Sequence, residues 1–425
     1  MSAERPSPLV EALYRREALS WGLVGFTLGL VEGATAAVLV KKGFAGAASA
    51  SAVNLAVAFV SGAPALSNVV SFLWANLAHG RTRVQLMAWL MAAFAMLVGL
   101  IGLAPNAATG LTVMVLSVIA ARVVWAGILT VRASVWTANY PRKVLARVTG
   151  RIVVVSSFGV AAASALAGLV IESRLAWSRW LYALAAASGL AAAWLYRQTR
   201  VRREFQLLLA ESEAVGRTQV FSLSVLRGIL REDPVYRRYM FWLGIYGAGN
   251  LMVNAQFVIV FSDFMRLSGA MQIGVLSIVP LLSIPLFTPL WARMFDGGHV
   301  IAYRARQCWS LVLAIAVMIL AVFVQQAWLL WPGALLLGAA TAGANLGWNL
   351  GHSDFASLGK MQQYMGVNVT LTGMRGLVAP PAGVLFYEWL ERSAAGAGRW
   401  SLLLPLAMTL AGAFGFNRMH RQGVR

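Results

Sequence analysis

Tyr14-Arg15-Arg16, with Gly22 and Gly25 behind it, returns 222 residues later as Tyr236-Arg237-Arg238 with Gly244 and Gly247. Leu73-Trp74-Ala75 with Gly80 returns at an offset of 217 as Leu290-Trp291-Ala292 with Gly297. Trp125, Ala133, Ser134, Thr149 and Gly150 return at 223 as Trp348, Ala356, Ser357, Thr372 and Gly373. One such match in so Ala- and Gly-rich a chain is chance. Three in chain order, at nearly one offset, make the second half a faded copy of the first. In a chain of apolar spans, two parallel halves point to a transporter with its site on the axis between them.

Composition puts the chain in a membrane. Hydrophobic residues make up 59% of the 425 and charged ones 12%, about half the charged share of a soluble domain. Apolar stretches of roughly 20 residues, the length that crosses a bilayer, recur from end to end. The single cysteine, Cys308, excludes a disulfide framework and argues against a thiolate metal site. A formal charge of +20 invites a nucleic-acid reading. The basic residues gather in alternate loops, however, as cytoplasmic loops do, so no nucleic-acid partner is expected. The Arg15-Arg16 flank leads into a span that the repeat makes internal, so no cleaved signal peptide is expected.

Hydropathy predicts spans at 18–40, 48–78, 84–104, 108–136, 148–171 and 176–196, then at 238–262, 270–294, 305–324, 328–353, 366–390 and 400–416. The expected fold is all-α and integral to the membrane: twelve transmembrane helices as two six-helix pseudo-repeats around a central cavity. The expected division is a first half at 1–196, a basic linker at 197–234 and a second half at 235–425. With both termini cytoplasmic, 25 of the 35 Lys and Arg fall inside and seven outside, and Arg122, Arg132 and Arg375 lie within helices. This bias sets the orientation, against the exception of Lys41-Lys42. In the linker, Val201, Phe205, Leu208 and Leu209 form an apolar stripe at helical spacing, and Ser222 caps a second one of Val225, Leu226, Ile229 and Leu230. Such helices lie on an anionic leaflet. The chain is expected to be a monomer in a bacterial cytoplasmic (inner) membrane.

Twelve helices in two halves, a long basic central loop and short basic loops after helices 2 and 8 resemble the major facilitator superfamily. The family's loop after helix 2 reads G-x-x-x-D-R-x-G-R-R. Here Trp74-Ala75-Asn76-Leu77-Ala78-His79-Gly80-Arg81-Thr82-Arg83 keeps the basic tail and lacks the acid. The copy after helix 8 has Asp296-Gly297-Gly298, with Arg293 before it. The family's fourth helix often shows R-x-x-x-G, and Arg122 precedes Gly127 one residue late. Gly159 to Gly168 holds no proline, which disfavours the drug–proton antiporters. The resemblance implies alternating access, a small-molecule substrate, no enzymatic activity and no cofactor, with helices 1, 4, 7 and 10 lining the cavity.

Ionisable groups inside a bilayer cost several kcal/mol unless paired or hydrated, which makes them functional suspects. Glu32 in helix 1 and Arg122 in helix 4 each lie about 14 residues, or roughly 20 Å, from their cytoplasmic ends, near the midplane. The repeat offsets map them onto Asn254 in helix 7 and Asn345 in helix 10, so these four are expected to surround the substrate. The bland alternative is a structural ion pair with two interhelical asparagines. Asn345, Asn349 and His352 fall on one face of helix 10, and Tyr246, Asn250 and Asn254 on one face of helix 7; both stripes are expected to line the path. Trp125 and Trp348 are candidate aromatic walls for the substrate. Glu32 and His352 are candidates for proton coupling, Asp354 and Arg375 for a cytoplasmic gate, and Pro380-Pro381 for a hinge.

One acid, one arginine and several amides suit a small polar, zwitterionic or monoanionic organic solute, carried with protons. An exporter of amphiphilic compounds, favoured by the Trp and Phe content, is the alternative within the class. Outside it stands a non-transporting receptor or scaffold on a transporter fold, which the degraded loop motifs permit. The Met87/Met91 and Met361/Met365 pairs have no thiol or histidine cluster beside them, which argues against copper. The chain lacks a Walker phosphate loop and so does not drive transport with ATP by itself.

Overall fold

The computed structural model describes residues 8–423 apart from 141, 174, 202, 203, 205, 207, 209–222 and 357–359. Phe205, Leu209, Ser222 and Ser357 of the patterns above therefore lie outside the described residues. The first half runs through α1 (Pro8–Gly29), α2 (Gly33–Gly43), α3 (Ala50–Leu66), α4 (Ser71–Ala78), α5 (Arg83–Ile101), α6 (Ala108–Asn139), α7 (Arg142–Ser173) and α8 (Ser178–Arg197). A short linker helix, α9 (Leu223–Glu232), precedes α10 (Pro234–Asp263), α11 (Gly269–Ile273), α12 (Val279–Asp296), α13 (Val300–Val324), α14 (Leu330–Leu350), α15 (Met361–Ser393) and α16 (Leu403–Arg421). Among the described residues, eleven helical stretches are long and apolar enough to cross a membrane, with α1 and α2 sharing one and α11 and α12 another. The twelfth span is α8. Its tryptophans, tyrosines, serines and two arginines lower its hydropathy, yet it packs on α1 and α5 like its counterpart in the other half.

The two halves are built alike. α1 packs on α7 and α8 as α10 packs on α15 and α16, and α5 packs on α6 and α8 as α13 packs on α14 and α16. Close contacts repeat as well. Trp74 of α4 lies flat on Gly127 of α6, and Trp291 of α12 on Gly343 of α14. A Cβ at these glycines would come 2.7 Å and 3.0 Å from the indole Cδ2. Neither site has room for a side chain in an interior packed to crystal density. Gly127→Val and Gly343→Val are each expected to cost about 1–3 kcal/mol through overpacking, read as a lowered Tm in detergent. An unchanged Tm would mean the indoles move aside freely.

This contact resets the register of the repeat in one place. Gly343 follows Gly127 by 216 residues, whereas the match of Trp125 to Trp348 runs at 223. The difference is about two helical turns, so Asn345 is not the counterpart of Arg122. Small, repetitive side chains in both helices carry too little information to fix the register.

Two backbone features depart from the predicted spans. The first span is broken: Leu30, Val31 and Glu32 leave the helix between α1 and α2, and Glu32 is extended at φ −79°, ψ 127°. Gly29 and Gly33, poor helix formers, bracket the break. Conversely, α15 runs unbroken through Pro380 and Pro381, where a hinge was expected. Without the Pro380 amide, the carbonyl four residues earlier, Gly376, is freed. Gly62 of α3 comes so close that a Cβ there would sit 2.5 Å from that oxygen. The glycine lets the two halves touch backbone to backbone.

Besides the packing of α3 along α15, the halves are joined at the end remote from the termini and the linker, here the far end. Lys41 Nζ donates to Asp263 Oδ2 at 2.7 Å and to Asn54 Oδ1 at 2.7 Å. Asn54 Nδ2 donates to Glu388 Oε1 at 2.6 Å. Lys42 donates to the Leu267 carbonyl, and the Ala270 amide to Glu172. Among the described residues, the side-chain hydrogen bonds that join the two halves lie here or one to two turns below. At the opposite, linker end, the acid missing from the loop after α4 is supplied in part from the linker: Glu204 accepts from the Arg83 amide at 2.7 Å.

Candidate functional site

The break in the first span presents Glu32 to Arg122 of α6. Arg122 Nη1 donates to Glu32 Oε2 at 2.7 Å. The Arg122 side chain is 9% exposed and that of Glu32 37%. The pair thus opens toward free space on the acid's side alone. Glu32 also occupies the N-cap position of α2 without its carboxylate bonding the helix amides, so the first amides of α2 add their positive field to that of Arg122. Arg122 Nε is buried without a partner. The break thus brings one carboxylate, one guanidinium and a helix start together at the edge of free space.

One turn above, Thr35 Oγ1 lies 2.9 Å from Ser164 Oγ of α7 and donates to Ser277 Oγ at 3.0 Å. Ser277 belongs to a π-turn, Gly274–Ile278, between α11 and α12, a local widening often found at functional sites. The three hydroxyls cross from one half to the other directly over the ion pair. They were not found in the sequence, where neutral hydroxyls carry no signal; only the spacing of Thr35 from Glu32 hints at a shared face.

The other predicted site residues are placed less favourably. Trp125 is buried inside the first half, 6.0 Å from Trp21 and 5.3 Å from Phe94 between ring centroids, so it forms no cavity wall. Tyr246 turns toward α13 and α16, beside Cys308 and against Gly412, so it leaves the stripe assigned to it. Asn254 donates to the Asn250 carbonyl and Asn349 to the Asn345 carbonyl, each within its own helix. Asn345 and Asn349 are exposed, and Trp348 is half-buried. Among the described residues, no hydrogen bond joins either asparagine pair to Glu32 or Arg122.

The expected gate, a pair formed only with the cytoplasmic side closed, is not formed in this conformation. Asp354 Oδ2 accepts from the Val300 amide at 2.6 Å, satisfying the start of α13. Arg375 reaches the Leu243 carbonyl of α10 at 2.5 Å and the Thr372 hydroxyl. The two side chains serve different backbones and do not pair. Asp354→Ala is therefore expected to cost about 1 kcal/mol as a weakened helix start, visible as a small drop in Tm, with no change in which side of the protein is open. A shift in cytoplasmic labelling of a cysteine at Asn349 would revive the gate.

His352 lies buried in the second half, with Nδ1 3.4 Å from the Tyr236 hydroxyl, and not beside Glu32. Two buried charges escaped the sequence reading. Arg304, placed there in a loop, is inside α13, because the helix begins at Val300 behind the His299 cap. Its Nη1 donates to Gln307 at 2.9 Å, and Gly347 makes room for its guanidinium. Glu17 is buried in the first half, accepting from Trp136 Nε1 at 2.7 Å and from the Tyr140 and Tyr196 hydroxyls. Burial and the adjacent Glu17 carboxylate push the Tyr140 phenol up, so it stays a donor.

Comparison with known proteins agrees with this architecture. The family model of the Major Facilitator Superfamily matches residues 17–380. No curated protein matches the chain. Among solved structures, a D-xylose-proton symporter is similar with a TM-score of 0.72 at 13% identity, over 96% of this chain and 97% of that one. The nucleoside transporter NupG is similar with a TM-score of 0.64 at 15% identity, over 97% and 99%. An autoinhibited POT family peptide transporter gives 0.69 at 13% identity, over 97% of each chain. Identity this low speaks for a shared fold alone. The family match supplies the rest: the chain belongs to the Major Facilitator Superfamily, as a multi-pass membrane transporter and not an enzyme.

Proposed function

We propose that this transporter moves a small polar, zwitterionic or singly anionic organic solute by alternating access, coupled to protons at Glu32. The observation that carries this reading is the Glu32–Arg122 pair at the break in the first span, with its acid half-open. A negative group on the solute competes with Glu32 for Arg122, and Glu32, losing its cation, takes a proton.

The loop charge bias favours the linker end as cytoplasmic. With the far end tied shut, the conformation is then inward-facing. Cysteines at Ala108 and Gly396 are expected to react with an impermeant reagent from outside, and one at Thr82 only from inside; the reverse pattern overturns the orientation. The function itself is tested by counterflow in proteoliposomes. Labelled sugars, nucleosides, amino acids and small carboxylates are offered in turn, and at least one is expected to exchange and to accumulate under an imposed pH gradient. Exchange of amphiphiles alone, or of nothing, would defeat the proposal.

A further inference from the structure

A cavity of about 500 Å³ lies between α10 and α15 near the linker end, walled by Met240, Gly244, Ala248, Leu371, Met374 and Val378. Phe241, Met374 and Val378 around it are 58%, 55% and 63% exposed although they belong to membrane-spanning helices. This groove opens onto hydrocarbon, not water. It extends along α10 from Arg237 to Ala248, roughly 16 Å at the helical rise, the reach of most of an acyl chain. Arg375 at its floor is already committed to the Leu243 carbonyl and Thr372.

At the linker end the groove continues, through Arg237 and Phe241, into a second hollow walled also by Pro234, Val235 and Arg238. The linker helix α9 lies beside this mouth and contributes Leu230 to the groove. Val225, Leu226, Ile229 and Leu230 pack inward, and Arg227 and Arg231 stay exposed. The acids nearby are occupied: Asp233 accepts from the Tyr236 amide and the Tyr364 hydroxyl, and Glu232 faces Lys360 at 3.8 Å. Arg237 spends one N–H on the Leu230 carbonyl at 3.2 Å. Arg237 and Arg238 therefore line the linker-end mouth of an apolar groove.

We propose that this groove holds one anionic phospholipid, with an acyl chain against Gly244 and Ala248 and its phosphate on Arg237 and Arg238. An apolar slot with a basic rim at the headgroup level matches that occupant at both ends. A soluble anion would leave the slot empty, and a neutral lipid would leave the rim unused.

The test is native mass spectrometry of the full-length protein reconstituted in mixed phosphatidylcholine–phosphatidylglycerol vesicles and re-extracted. The wild type is expected to retain one phosphatidylglycerol. R237Q/R238Q is expected to retain it about tenfold less or weaker still, as is Ala248→Trp, which fills the slot. R237K/R238K, which keeps the charge, retains it and shows that loss is not misfolding. Inorganic phosphate is expected not to displace the lipid. Equal retention of phosphatidylcholine, retention unchanged in R237Q/R238Q and Ala248→Trp, or displacement by phosphate overturns the assignment.

Discussion

Arg122→Ala is expected to weaken substrate binding by about 30- to 150-fold, a loss of about 2–3 kcal/mol. Two effects add. An anionic group on the substrate loses its partner, and Glu32 is left at mid-membrane with only the start of α2 to stabilise its charge. Breaking a fully buried pair costs about 3–5 kcal/mol. The 37% exposure of Glu32 lets water recover part of that. Arg122→Lys keeps the charge but loses the planar fork of the guanidinium, so its affinity should fall between the two. Calorimetric titration with the solute found by counterflow measures this. Wild-type affinity in Arg122→Ala would reduce the pair to a structural tie.

The second large effect concerns the far end. Lys41 breaks the loop charge rule because it is not a loop residue: it lies in α2, 8% exposed, held by Asp263 and Asn54. With Glu388 bound to Asn54, the cluster ties α2 and α3 of one half to α10 and α15 of the other. Asp263→Asn strands a buried ammonium in the closed arrangement, and opening the far end hydrates it. The balance should therefore move toward the open form by a factor of at least about ten. With Cys308 replaced by serine, a cysteine at Ser277 should react correspondingly faster with an impermeant reagent added outside. Asn54→Ala should act in the same direction, less strongly. Unchanged labelling in both variants would show that the backbone contact of Gly62 with Gly376, and not this network, keeps the far end shut.

The parts legible in the sequence were those written in strong signals. Charged residues stand out against apolar spans, so Glu32 and Arg122 were paired by depth alone, and they do meet at 2.7 Å. Hydropathy and the repeated Trp and Gly positions gave the span order. Features that depend on helix rotation were not legible. Trp125 and Tyr246 sit at spacings compatible with the cavity face, but each helix is turned so that the ring enters the interior of its own half. Helix starts misled as well. Taking the ninth span from 305 left Arg304 in a loop, and ignoring the unsatisfied amide of Val300 left Asp354 free to be assigned to a gate. The break at Glu32 had only Gly29 and Gly33 to announce it, in a chain with 40 glycines.

The central claim is that Glu32 carries the coupled proton. It is tested most directly by following pH in lightly buffered proteoliposome suspensions as the counterflow substrate is added. Wild type is expected to make the medium alkaline as substrate and proton enter together. Glu32→Gln should give no pH change and no uphill accumulation while still exchanging labelled substrate at equilibrium. Proton movement that persists in Glu32→Gln, or accumulation driven by sodium without dependence on pH, would contradict the account.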